Sequence, residues 1–393
     1  MSTRSSLPDL PLTPEITSNY ISCPSTKLVF HYLEAGHTPE NSKPLILLLH
    51  GYPELAFSWR KVIPSLAKAG YHVVAPDQRG YGRTTGWDNS PFERTDLNQF
   101  SMTNLVRDMV ILVNALGYRE VKCVVGHDFG AMVANMCSLM RPDIFLAVVT
   151  MSHPINSPPA LPFNTAHNPD ETEHGKGGGM MGTDIDYDLA RLEQPRKHYR
   201  WYNSALPAAE EWLHPSQGLK TFLRGYIHVK SADYNGNDPK PLKEWSAKEL
   251  SKMPYYYIMP KSSNMPDTIT SMMENEDASK TTRWLSDDDL DIYVQEWSRT
   301  GFQGGLNWYR ARTDPEKAKD VLLFAGRKVD VPSIFISGKQ DWGNYQQPGA
   351  LEGIDNACSD SRGIKFIDGA GHWPQQEQPE RVAKELLAFL SQL

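Results

Sequence analysis

Three short stretches carry groups able to act together on a carbon electrophile. "VVGHDFGA" sets Asp128 between Gly126 and Gly130, "PSIFISGKQDWG" supplies Asp341, and "IKFIDGAGHWPQQEQP" supplies His372. The first has the G-x-Nu-x-G form of a nucleophile elbow, a strained turn between a strand and a helix, where acyl hydrolases keep a serine. A carboxylate there suits different chemistry. It is already ionised at neutral pH and needs no base to activate it. It attacks a saturated carbon, expels a leaving group and leaves an alkyl ester on the protein. Hydrolysing that ester requires an activated water, and a histidine oriented by an acid is the usual means. His372 follows the last strand expected in the chain. Asp341 follows the strand before it, whereas Asp330 precedes that strand, and the loop after "FLAVVTMS" has no carboxylate through Pro158. The competing reading of Asp128 is an aspartate that only caps the helix behind it.

These groups need a scaffold that brings strand ends together. "KPLILLLHGYPE" and "GYHVVAPDQRGYG" read as apolar strands emptying into turns, with the helical "SWRKVIPSLAKAG" between them. The unit repeats: Leu105, Met109, Leu112 and Leu116 share a helix face ended by Gly117, "VKCVVG" is the next strand, "AMVANMCSLM" a helix and "FLAVVTMS" a further strand. "PSIFISG" and "IKFIDG" resume the strands before an amphipathic closing helix, "PERVAKELLAFLSQL". Such alternation predicts an α/β protein with an open parallel sheet covered by helices on both faces. Between them, residues 153–318 lose the rhythm and read as an inserted helical cap. The core is then 27–152 and 319–393, with 1–26 an N-terminal extension. Within the cap, "HGKGGGMMGTD" neither follows a strand nor carries the P-loop pattern, and is expected to be a plain loop. Ester hydrolysis develops an oxyanion, for which the backbone N–H groups of Phe129 and Tyr52 are candidates.

Composition narrows the partners. The 393 residues are 40% hydrophobic and 22% charged, as in a packed globular chain. A net charge of -7 gives no electrostatic reason for a nucleic-acid or anionic-membrane partner, which leaves a small molecule. Cys23, Cys123, Cys137 and Cys358 have no metal-ligand spacing, and no segment has signal-peptide or membrane-span character, so a cytoplasmic protein is expected. The final Ser391, Gln392 and Leu393 loosely resemble a peroxisomal signal in which Gln replaces the basic residue.

Taken in order, "HGYPELAFSWR", "DQRGYGRT", "GHDFGA", "GFQGGLNWYR" and "GAGHW" resemble the epoxide hydrolases of the α/β-hydrolase fold, including the catalytic domain of soluble epoxide hydrolase. The resemblance runs from about Lys27 onward. It implies conversion of an epoxide to a vicinal diol without metal or organic cofactor, and two cap tyrosines that hydrogen-bond the epoxide oxygen. Tyr309 matches one. For the other, "KHYRWYNS" offers Tyr199 and Tyr202, and aligning the first tyrosine of the pattern selects Tyr199. Pro53, Trp308 and Trp373, beside these positions, are expected substrate contacts. Two features depart from the family: Phe129 stands where many relatives have Trp, and the cap is expanded over about 163–193. Haloalkane and haloacid dehalogenases share the aspartate elbow and are the alternative, but they would place Trp or Arg after the nucleophile. A non-catalytic binding protein on this fold would show a broken set of site residues. A homodimer is compatible with the sequence, and no motif demands one.

Overall fold

The computed structural model describes residues 7–155 and 185–393. Its strands in chain order are β1 (Thr17–Cys23), β2 (Leu28–Ala35), β3 (Leu45–Leu49), β4 (His72–Pro76), β5 (Cys123–His127), β6 (Val148–Met151), β7 (Arg196–His198), β8 (Ile258–Pro260), β9 (Ser333–Gly338) and β10 (Ser361–Ile367). Eight of them form one sheet in the order β1-β2-β4-β3-β5-β6-β9-β10. From β4 to β10 every neighbouring pair is parallel, while β2 is antiparallel to both β1 and β4. The predicted α/β architecture is therefore the observed one.

Period-two alternation in the central strands feeds two cores. Leu45, Leu47, Leu49 and Val124 face the cluster that also takes in Trp212, Trp297 and Tyr309 of the inserted segment. Ile46, Leu48, Val125 and Val149 point the other way, onto the closing helix Pro379–Leu390. A strand buried on both faces must be apolar at every position, hence the unbroken "LILLL" of β3.

One boundary is corrected. The expected extension, 1–26, contains β1, which pairs with β2 from Thr17 opposite Glu34 to Cys23 opposite Leu28. An edge strand buries little, and the mostly exposed "TSNYISC" carries no apolar run to announce it. The "SWRKVIPSLAKAG" helix is also shorter than its periodicity suggests, since only Ile63–Lys68 is α-helical. Residues 185–313 supply mostly helices, together with the antiparallel pair β7 and β8. The Gly-rich run and most of the expanded part of the cap lie outside the described residues.

Buried ion pairs fasten the loops at the carboxyl end of the sheet. Arg79 Nε and Nη2 donate to the two oxygens of Asp108 at 2.7 and 2.8 Å, and both side chains are almost fully buried. Arg83 Nε reaches Glu296 at 2.7 Å, tying the loop after β4 to the helix Asp287–Thr300. Arg79→Met would strand the Asp108 carboxylate in an apolar surrounding. Its expected cost is about 3–5 kcal/mol of unfolding free energy, measured as a fall in the urea midpoint.

Candidate active site

Asp128 sits where β5 turns into the helix Phe129–Met140, with φ 52 and ψ -116. A non-glycine residue holds such a backbone at a cost of about 1–3 kcal/mol, so the turn must be over-determined by its surroundings. It is. A Cβ on Gly126 would lie 2.0 Å from the Gly130 carbonyl oxygen, and one on Gly130 would lie 2.2 Å from that of Leu49. Only glycines allow strand and helix to close this tightly. The Asp128 side chain makes no capping bond to its helix, which removes the capping explanation. Instead, its Oδ1 accepts from the Tyr52 backbone N–H at 3.1 Å, and its Oδ2 lies 3.6 Å from Nε2 of His372.

His372 is wholly buried, and its Nδ1 is 3.1 Å from each oxygen of Asp341. Asp341 is fixed in turn by the Gly343 backbone N–H at 2.6 Å. The three strand ends of β5, β9 and β10 thus bring together residues separated by more than two hundred positions. Burial opposes ionisation of Asp128, yet His372, Lys230 and His127 outweigh it and hold the carboxyl well below its ordinary range. Burial likewise opposes the charge on Asp341, and His372 again turns the balance toward the carboxylate. For His372, burial and Lys230 favour the neutral ring, but Asp341 and Asp128 leave its pKa above the ordinary value.

Aromatic side chains from residues 185–313 pack over this centre. Tyr309, on the helix Gln303–Thr313, has its ring 4.6 Å from that of Phe129 and 5.4 Å from that of Tyr52. Tyr199, at the start of Tyr199–Asn203, has its ring 5.8 Å from that of Tyr309, and its hydroxyl donates to Gln346 Oε1 at 3.1 Å. Tyr202 turns elsewhere, donating to Glu211 at 2.7 Å. Of the expected substrate contacts, Trp308 packs against Phe129 and spends its indole N–H on the Arg79 carbonyl at 2.8 Å. Trp373 stacks edge-on to His372 and donates to the Ile227 carbonyl at 3.0 Å. Pro53 and Trp373 both line a small cavity beside Glu54.

Sequence reasoning missed a buried polar layer behind these groups. His127 Nδ1 is 2.7 Å from Glu54, and its Nε2 is 2.6 Å from the His372 carbonyl oxygen. Glu54 also accepts from Gln375 and Gln376. Burial alone would raise the Glu54 pKa, but His127 brings it below the usual value. Glu377 accepts from the backbone N–H groups of Ala232, Gly371 and Trp373, so it clamps the histidine loop to the turn after the helix Leu219–Lys230, and burial pushes its carboxyl up to about 7. These residues stand inside the quoted motifs "HGYPE", "GHDFG" and "HWPQQEQP". Their only sequence signal is a polar residue next to a site residue, which many loops share. Glu34, His37 and His72 bring ligand atoms within 4.8 Å of one another, but at the β2–β4 margin, where His72 already meets Glu34 and Tyr118.

Comparison with known proteins places this centre. The α/β hydrolase fold family matches residues 44–379. Epoxide hydrolase A of Mycobacterium tuberculosis is 32% identical over 367 residues, 92% of this chain and 94% of that one. The chain belongs to the epoxide hydrolases. Epoxide hydrolase B of the same organism is 29% identical, covering 95% of this chain and 98% of its own. Among solved structures, epoxide hydrolase I of potato (Solanum tuberosum) is 28% identical with a TM-score of 0.68, over 96% of this chain and all of that one. An epoxide hydrolase from an endophytic Streptomyces gives 26% identity and a TM-score of 0.73, over 96% of each chain. This epoxide hydrolase therefore acts on the ether bond of an epoxide, as its motifs imply, and the dehalogenase alternative finds no counterpart among these relatives. Among its described residues no helix is long and apolar enough to cross a membrane.

Proposed function

We propose that this epoxide hydrolase works in two covalent steps. In the first, Tyr199 and Tyr309 donate hydrogen bonds to the epoxide oxygen while an Asp128 carboxylate oxygen attacks a ring carbon. The C–O bond of the ring breaks, the oxygen takes a proton from a tyrosine, and a hydroxyalkyl ester remains on Asp128. In the second, His372, oriented by Asp341, removes a proton from water as it adds to the ester carbonyl. The backbone N–H groups of Tyr52 and Phe129 carry the oxyanion; its collapse breaks the acyl C–O bond, the departing alkoxide takes the proton of the new Asp128 carboxyl and leaves as the diol, and the proton held by His372 returns to the tyrosinate, which restores the Asp128 carboxylate and both proton carriers. The observation that most supports this reading is the Asp128 carboxylate itself, which accepts from the Tyr52 N–H on one oxygen and faces His372 with the other. A donor already in contact with the carboxylate is suited to the charge that later develops there.

Single turnover in water labelled with oxygen-18 tests the scheme. Label is expected in the Asp128 carboxylate, and label found only in the diol would overturn it. Tyr199→Phe and Tyr309→Phe should each slow ester formation by about 10²-fold, because each removes one donor to a developing alkoxide in a dry site. Stopped-flow tyrosine and tryptophan fluorescence would follow that step, since Tyr199, Tyr309 and Trp308 surround it. An unchanged rate in either variant would return that tyrosine to a packing role.

The same reading assigns 153–318 to a lid that delivers the epoxide, with Pro53, Trp308 and Trp373 shaping the pocket wall. A cytoplasmic setting is supported by four cysteines that are all buried and unpaired.

A further inference from the structure

A buried lysine faces the reaction centre. Lys230 ends the helix Leu219–Lys230 and is only 3% exposed. Among the described residues, no carboxylate forms an ion pair with it. Its Nζ lies instead among aromatic rings, 5.0 Å from the centroid of Tyr257, 5.2 Å from Tyr226, 5.3 Å from Trp373 and 5.9 Å from Tyr256. Nζ is also 3.5 Å from the Tyr226 hydroxyl. The Lys230 carbonyl accepts from the His372 backbone N–H at 2.8 Å, so the lysine and the histidine loop are fixed to each other. The charged groups that face the ammonium are Asp128 at the elbow, Asp341 after β9 and Glu54 after β3. Burial brings the ammonium down to about 8 while those three carboxylates resist the fall.

This placement answers a difficulty in the centre. In the free protein Asp128 and Asp341 both draw a proton onto His372, Asp341 still does so once Asp128 is esterified, and a protonated imidazole cannot take one from water. A fixed cation next to the same ring opposes that protonation. We propose that Lys230 is a positioning residue for the second half-reaction: its charge, held beside His372 by the box of Tyr226, Tyr256, Tyr257 and Trp373, opposes protonation of the imidazole and so extends to lower pH the range in which the ring can act as a base. The inference rests on His372 being that base.

Lys230→Met and Lys230→Arg separate charge from shape. Methionine fills the aromatic box and removes a buried ion that forms no ion pair among the described residues, so the variant is expected to fold, because an unpaired buried charge is costly to hold. The rate of ester decay in single turnover is to be measured against pH, alongside an NMR titration of the His372 ring. In Lys230→Met the acid limb of decay and the His372 titration should both move up by about one pH unit, as expected for losing a nearby like charge. Lys230→Arg keeps the charge and should leave both near the wild-type position. Coincident His372 titrations in wild type and Lys230→Met would overturn the proposal, as would an equal shift in Lys230→Arg. A wild-type enzyme with no acid limb would overturn the role given to His372, and the ring titration, which needs no turnover, would still decide whether Lys230 sets its charge.

Discussion

Asp128→Ala is expected to lower diol formation by about 10⁴-fold or more, the scale on which removal of a covalent nucleophile is felt. The elbow explains why nothing substitutes for it. Asp128 is held at φ 52 by glycines on either side, one contact from the Tyr52 N–H and 3.6 Å from His372. Glu54 is occupied by His127, Gln375 and Gln376, and Asp341 by His372 and Gly343. Neither is free to move to the reacting carbon. Alanine is preferred to asparagine, because a side-chain amide beside an intact His372 and its water is open to hydrolysis back to aspartate. The measurement is product formation across aryl, fatty and bulky epoxides, together with intact-protein mass after mixing. An Asp128→Ala protein that turned over within tenfold of wild type would exclude the covalent mechanism.

His372→Gln should fail at the other step. Ring opening does not need the imidazole as a base, so Asp128 is expected to form its ester at a rate not far from wild type. Water activation is lost, and ester decay should slow by about 10³-fold. The protein would then accumulate one epoxide mass per chain and release little diol. Chemical quench and mass spectrometry give the stoichiometry directly. The contrast between the variants carries the information, since one makes no adduct and the other keeps it. Equal loss of ester formation in both would mean that His372 acts before the ester exists, which would require a different mechanism.

The reach of the sequence differs between parts of the molecule. The apolar runs of β3 and β5 announce themselves because strands covered on both faces need every side chain apolar. Edge strand β1 does not, because it buries only part of one face. The elbow is equally plain, since its glycines answer a local steric demand written within five residues. The order of Asp128, Asp341 and His372 along the chain is also a local matter, each lying just past an apolar strand.

What lies between the strands is different. The choice between Tyr199 and Tyr202 turns on which hydroxyl a helix of five residues points inward, and only packing against Tyr309 and Glu211 sets that rotation. Glu54, His127 and Lys230 are ordinary polar residues until the fold removes water from around them. Sequence alone determined the parallel α/β scaffold, the carboxylate at the elbow and the family, because each is fixed by short-range patterns of steric fit and burial. Tertiary structure alone decided which charges share the dry centre, because the low dielectric that couples Lys230, His372, Asp341 and Asp128 exists only once residues 185–313 pack over the end of the sheet.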